Sequence, residues 1–111
     1  MIKVLKFGGT SVGSAANMKK VAEIVRREQA RITVLSAMSG TTDSLVRISR
    51  AAASGDRNAI EEQLAMLTDK YTRCIEELLR ERKQQALARM NATFGLIRDE
   101  AAAFEEYESE R

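Results

Sequence analysis

The chain opens on a compact apolar run, Ile2 to Phe7, interrupted by Lys3 and Lys6 and closed by Gly8-Gly9. A short run of β-formers ending in two glycines predicts a buried strand followed by a tight turn. Beyond Ser14, the residues Met18, Val21, Ala22 and Val25 recur at helical spacing, with Lys19, Lys20, Arg26 and Arg27 mostly on the other side. That pattern is an amphipathic helix. Ile32 to Leu35 is a second β-branched run. The opening therefore reads as strand, glycine turn, helix, strand: a right-handed parallel β-α-β unit. After the hydroxyl-rich segment Ser36 to Thr42, Asp43 is placed to cap a further helix. Leu45, Val46 and Ile48 lie on its apolar side, and its end falls near Gly55-Asp56.

From there the pattern is wholly helical. Ile60, Leu64, Leu67, Tyr71, Cys74 and Leu78 are separated by alternating steps of four and three, and Leu87, Met90, Phe94, Ile97, Ala101 and Phe104 follow the same rule. Two such stripes predict an antiparallel helical hairpin with arms of about 25 residues, roughly 35 Å long. Its turn is expected near Arg80 to Lys83, where no Gly or Pro stands, so one continuous helix is the alternative. On this reading residues 1–56 carry the loops and residues 57–111 the hairpin. Two parallel strands need cover on both faces and usually more partners, so further strands are expected beyond Arg111. The ending Glu105-Glu106-Tyr107-Glu108-Ser109-Glu110-Arg111 is a charged helical run without a stop signal.

Composition narrows the classes. A chain of 111 residues is one domain or part of a larger one. It is 44% hydrophobic and 31% charged, and no apolar run nears the ~18 residues of a membrane span. Lys3 and Lys6 break the early apolar stretch, unlike a secretory signal, so a cytoplasmic protein is expected. The net charge of +2 comes from 18 basic and 16 acidic side chains that are interleaved, which argues against a nucleic-acid face. A single cysteine excludes an internal disulfide. The absence of histidine removes the commonest neutral-pH acid/base and metal ligand. Chemistry is left to Lys, Asp, Glu, hydroxyls and backbone amides.

Those groups converge in one place. A strand that delivers Lys6 into Gly8-Gly9-Thr10-Ser11, just before a helix, sets backbone amides and a positive helix end where an anion can bind. Phosphate is the natural ligand. The glycines let oxygen atoms approach the backbone, Thr10 and Ser11 offer hydroxyls, and Lys6 can neutralise a transferring phosphoryl group. The order differs from the P-loop, where lysine follows the glycines, and from the G-x-G-x-x-G fingerprint. A plain tight connection is the alternative use of such a turn. Elsewhere the bland readings prevail. Cys74 sits on an apolar stripe as a small buried side chain, and Tyr71, Met90, Phe94 and Phe104 are hairpin packing. The neighbouring carboxylates Glu61, Glu62, Glu76, Glu77, Glu105, Glu106, Glu108 and Glu110 form mostly a solvated face.

The string Val4-Leu5-Lys6-Phe7-Gly8-Gly9-Thr10-Ser11-Val12 resembles the opening signature of aspartate kinases, members of the amino-acid kinase family. Val34-Leu35-Ser36-Ala37-Met38-Ser39-Gly40-Thr41-Thr42-Asp43 is similar to that family's second conserved loop. The resemblance runs over essentially the whole chain, though the helices are far less specific than the loops. It implies an α/β fold, the amino-terminal portion of a three-layer α/β/α domain. It implies Lys6 as the catalytic cation, with Lys6, Gly8, Gly9, Thr10 and Ser11 at the phosphates of ATP, and Ser36 and Thr42 binding or orienting L-aspartate. Mg2+ is implied with ligands outside this segment. The implied reaction phosphorylates L-aspartate to 4-phospho-L-aspartate, the first step toward lysine, threonine and methionine, in a homo-oligomer. The family's later Gly-Glu and Arg-x-Gly-Gly-Ser-Asp segments, nucleotide loops and ACT domains are not among these residues, and the aspartate that organises the lysine is missing with them. Two alternatives stand: another amino-acid kinase acting on glutamate or uridylate, against which the Lys-Phe-Gly-Gly-Thr-Ser string argues, and a catalytically inactive piece that self-associates.

Overall fold

The computed structural model describes residues 2–109; from residue 105 only the backbone is described, so the expected acidic face there lies outside the described side chains. Among the described residues the order is β1 (Val4–Phe7), α1 (Ala15–Glu28), β2 (Ile32–Leu35), α2 (Thr41–Ser54), α3 (Arg57–Leu78) and α4 (Lys83–Ser109). This is the expected α/β class, helix-rich with two parallel strands. By its packing the chain divides into residues 1–41 and residues 42–111.

In the first unit, β1 and β2 pair in parallel, with Val4 opposite Ile32, Lys6 opposite Val34 and Phe7 opposite Leu35. β1 starts two residues later than the apolar run. Lys3 still accepts hydrogen bonds from the Arg31 and Ile32 amides, at 3.1 and 3.4 Å, but β2 itself begins only at Ile32. Side chains alternate across a sheet, which puts Leu5 and Phe7 on one face, both half-buried, and Val4 and Lys6 on the other, both exposed. Phe7 shares a cleft with Val21 and Ile24 of α1. Ile32 and Val34 continue the exposed row beside Val4.

α1 forms where both ends carry stop signals. Ser14 is extended at the N-cap and its hydroxyl accepts from the Asn17 amide at 3.1 Å. Gln29 closes the helix in the left-handed region at φ 50°, its N–H on the Arg26 carbonyl and that of Ala30 on Val25. Arg26 and Arg27 in the last turn suit the negative end of the helix dipole. The expected apolar face is narrower than the spacing suggested, because Ala22 is exposed while Ala15 is buried.

α2, which apart from Thr41 belongs to the second unit, begins at Thr41, so Asp43 stands in the first turn and is not the cap. Its negative charge is still well placed near the helix start. Asp56 caps α3, its Oδ1 accepting from the Ala59 amide at 3.0 Å. α3 ends at Leu78, its C-cap Leu79 turns to extended backbone, and α4 begins at Lys83. The break rules out one continuous helix. Antiparallel packing is read from its pairs: Tyr71 meets Phe94 edge to face at 5.6 Å, and Arg98 donates twice to Glu61, at 2.8 and 3.2 Å. Glu61 is thus paired, although both partners are exposed, so the bridge contributes about 0 to 1 kcal/mol. The core joins Ile48, Ala51 and Ala52 of α2 to Ile60, Leu64 and Leu67 of α3 and Ala101 of α4, with Leu64 at 0% exposure. Cys74 and Met90 are also buried, and burial pushes the Cys74 thiol above its ordinary range. Phe104, the last residue of its stripe, is exposed.

Candidate active site

Because β1 and β2 run parallel, both release the chain at the same end of the sheet. Phe7 and Leu35 are paired, and beyond them run the loops Gly8 to Ser14 and Ser36 to Gly40. The Ser36 amide donates to the Phe7 carbonyl at 3.0 Å, so the second loop starts bonded to the last residue of β1. Each loop also plants one apolar side chain inward, Val12 from the first and Met38 from the second, both buried.

The two glycines of the first loop have different jobs. A Cβ on Gly9 would stand 3.2 Å from the Ala37 carbonyl oxygen, tighter than an ordinary contact, and 3.5 Å from the Ser39 backbone, so a side chain there would make the second loop give by a few tenths of an ångström. A Cβ on Gly8 would meet nothing within 4 Å, and Gly8 is exposed. The space beside Gly8 is therefore open, while Gly9 is closely approached by the neighbouring loop. Gly13, which sequence reasoning passed over, repeats the second pattern: its Cβ would lie 2.8 Å from the Ser39 hydroxyl and 3.1 Å from the Gly9 carbonyl. Its only sequence signal is a third glycine just before a helix cap.

Internal bonds hold the first loop. The Val12 amide donates to the Gly8 carbonyl and the Gly13 amide to the Thr10 carbonyl, both at 3.3 Å. The Thr10 carbonyl also accepts from Asn17 Nδ2 at 3.0 Å. Thr10 and Ser11 line a cleft of about 410 Å³ with Phe7, Asn17, Lys20, Val21 and Ile24. Lys20, which helical spacing assigned to the solvated side, is exposed and also lines this cleft. Lys6 is exposed on the sheet face opposite Phe7 and does not line this cleft.

Of the residues singled out from sequence, Lys6, Gly8, Gly9, Thr10, Ser11 and Ser36 stand at or just beyond one end of the strand pair. Ser36 is exposed there. Thr42 is the second residue of α2, exposed, and belongs to the other unit. A larger concavity of about 750 Å³ lies between α2 and α4. Its lining is mainly Leu45, Ile48, Ala52, Leu96, Ile97 and Phe104, and such a lining offers little to a phosphate or an amino acid. Among the described residues no three His, Cys, Asp or Glu side chains gather into a metal-binding group, and no helix is long and apolar enough to cross a membrane.

Thr10 and Ser11 thus stand beside the start of α1, where backbone amides and the positive helix end favour anions. The second loop, seated against the first, carries Ser36 just beyond the carboxyl end of β2, the end of the strands at which open α/β sheets bind ligands. The chain belongs to the amino acid kinase family, which matches it over residues 1–110. It is 42% identical over 79 residues to Aspartokinase 1, chloroplastic, of Arabidopsis thaliana, a match spanning 68% of this chain and 14% of that protein. It is 39% identical over 75 residues to the Aspartokinase of Chlamydia muridarum, covering 68% and 16%, and 40% identical over 68 residues to the Aspartate kinase of Pseudomonas fluorescens, covering 58% and 16%. The chain thus spans only 14% to 16% of the length of these relatives.

Proposed function

We propose that the full-length protein, a cytoplasmic homo-oligomer, transfers the γ-phosphoryl group of ATP to the side-chain carboxylate of L-aspartate, giving 4-phospho-L-aspartate and ADP at the head of lysine, threonine and methionine synthesis. The observation that carries this reading is the seating of the second loop on the first, with Gly9 packed 3.2 Å, measured from its would-be Cβ, against the Ala37 carbonyl. A phosphate loop and a hydroxyl-bearing loop held at one end of a sheet are what an in-line transfer between two bound substrates requires. The similarity to aspartokinases supports aspartate as the acceptor.

In this mechanism a carboxylate oxygen of aspartate forms a bond to the γ-phosphorus while the bond to the bridging oxygen of ADP breaks, and ADP leaves with the electron pair. No proton changes hands, because the carboxylate is already ionised at neutral pH. Catalysis then rests on alignment and on neutralising charge. Lys6 neutralises the transferring group, the amides around Gly8 with Thr10 and Ser11 hold phosphate oxygens, and Ser36 and Thr42 orient aspartate. Mg2+ accompanies ATP in such reactions and would help neutralise its phosphates, with protein ligands expected outside this segment. The test is aspartyl phosphate formation by the full-length protein carrying Lys6→Met. Turnover is expected to fall by roughly 10² to 10³, and near-normal turnover would overturn the assignment of Lys6.

A further inference from the structure

One side chain fastens the glycine loop to the helix that follows it. Asn17 lies in the first turn of α1, where its own amide is held by the Ser14 hydroxyl at 3.1 Å. Independently of that cap its Nδ2 reaches back to the Thr10 carbonyl at 3.0 Å, the same oxygen that accepts the Gly13 amide at 3.3 Å. A trans peptide is planar, with its carbonyl and N–H pointing in opposite directions. Two donors on the Thr10 carbonyl therefore fix the direction of the Ser11 N–H, on the far side of the same peptide plane. The Gly13 donor belongs to the loop and moves with it. The Asn17 donor belongs to the helix, so it alone refers the orientation of this peptide to α1.

We infer that Asn17 is a positioning residue for nucleotide binding: its side-chain amide, bonded to the Thr10 carbonyl, holds the Thr10-Ser11 peptide so that the Ser11 N–H and hydroxyl face a phosphate. The inference rests on the proposed phosphate role of this loop. Asn17 touches no reacting atom in this account and acts through Thr10. Removing its donor frees the peptide to rotate and lets the loop sample orientations in which the Ser11 N–H is turned away. The weakening then falls on the nucleotide and spares the acceptor.

The experiment titrates magnesium-loaded AMP-PNP into the full-length protein by calorimetry, with stoichiometry fitted freely. Unfolded protein then lowers the number of sites and leaves the dissociation constant unchanged. Asn17→Ala and Asn17→Asp, which lack the donor, are expected to weaken the analogue about five- to tenfold, as for one lost orienting hydrogen bond. Asn17→Gln, which keeps an amide donor, recovers part of that loss. Ser14→Ala removes the helix cap but keeps the Asn17 amide, and its affinity stays within about twofold of wild type. Unchanged affinity in both donor-less variants overturns the inference, as does a loss in Ser14→Ala equal to that in Asn17→Ala. Aspartate phosphorylation by the wild-type protein is assayed alongside. If aspartate is phosphorylated while Asn17→Ala binds AMP-PNP normally, the inference alone fails. If the analogue binds, weakens in Asn17→Ala, and aspartate is left untouched, the acceptor assignment alone fails.

Discussion

Residues 1–41 and residues 42–111 are held together by different physics. In the first unit the decisive contacts are backbone to backbone: Ser36 on Phe7, and Gly9 against Ala37. Its strands leave Val4, Ile32 and Val34 exposed, and its buried apolar residues are the scattered set Val12, Ala15, Val21 and Met38. The second unit is a core of side chains at helical spacing, centred on Leu64 with no exposed surface. Geometry in the first unit depends on where side chains are absent. In the second it depends on side chains filling space. Substitutions should therefore separate cleanly, moving ligand affinity in one unit and stability in the other.

The largest break in that comparison is expected from Leu64→Ala. Truncating a fully buried leucine costs about 2 to 5 kcal/mol, because the lost transfer energy is joined by a cavity that the helices only partly close. Amide hydrogen exchange on the full-length protein should show protection lost across α3 and α4, with the loop amides of residues 8–13 unchanged and AMP-PNP affinity retained. Loss of nucleotide affinity equal to that of a loop substitution would show the separation to be wrong.

A smaller effect, in the stabilising direction, is expected at Gly95. It sits inside α4, and a Cβ there would meet nothing within 4 Å. Gly95→Ala therefore adds no clash and removes backbone freedom from the unfolded chain, for a gain of about 0.5 to 1 kcal/mol. Slower exchange in the middle of α4 is the readout, and faster exchange would refute it. The same substitution at Gly9 should act in the opposite sense, since its Cβ would crowd the Ala37 carbonyl. Two glycines alike in sequence are thus separated by what lies across from them.

That contrast also marks how far the sequence could be read. β2, α1 and the two hairpin arms were legible because their signals are local: a β-branched run, apolar residues at helical spacing beyond Ser14, and stripes in steps of four and three. The places of the Lys6 to Ser11 loop and of Ser36 at one end of the strand pair were legible because a strand ending fixes where they emerge. The cap of α2 was not, since Thr41, Thr42 and Asp43 are all good cap formers. The Thr41 amide bonding to the Met38 carbonyl, and not residue preference, marks where the helix begins. The division of labour between Gly8 and Gly9 depends on Ala37, far along the chain, and no local pattern carries it. Asn17 reads as one more polar residue on a helix surface until its reach to Thr10 is seen.

The smallest effect sharpens the comparison from the edge of the first unit. Lys3, just before β1, donates from Nζ to Glu28 at the end of α1 at 2.8 Å. This hydrogen bond, then the lysine's charge, and more weakly Arg27, hold the Glu28 carboxyl below the usual carboxylate range. A carboxyl whose pKa is lower in the folded state binds its proton less tightly there than in the unfolded chain. Its contribution is therefore present above the unfolded value, about 4.3, and is lost as pH falls through the folded one. The pair is exposed, so the contribution is small and salt erodes it. Carbon-13 NMR of the Glu28 carboxyl should give a midpoint below that of a free glutamate, returning toward the ordinary value in Lys3→Met and in high salt. Because Lys3 also carries the carbonyl that receives the Arg31 and Ile32 amides, exchange at those two amides reports whether the pair matters to the strands. Equal protection in wild type and Lys3→Met at neutral pH would mean that backbone pairing alone holds this end of the unit, leaving its chemistry and its stability both to the loops at the other end.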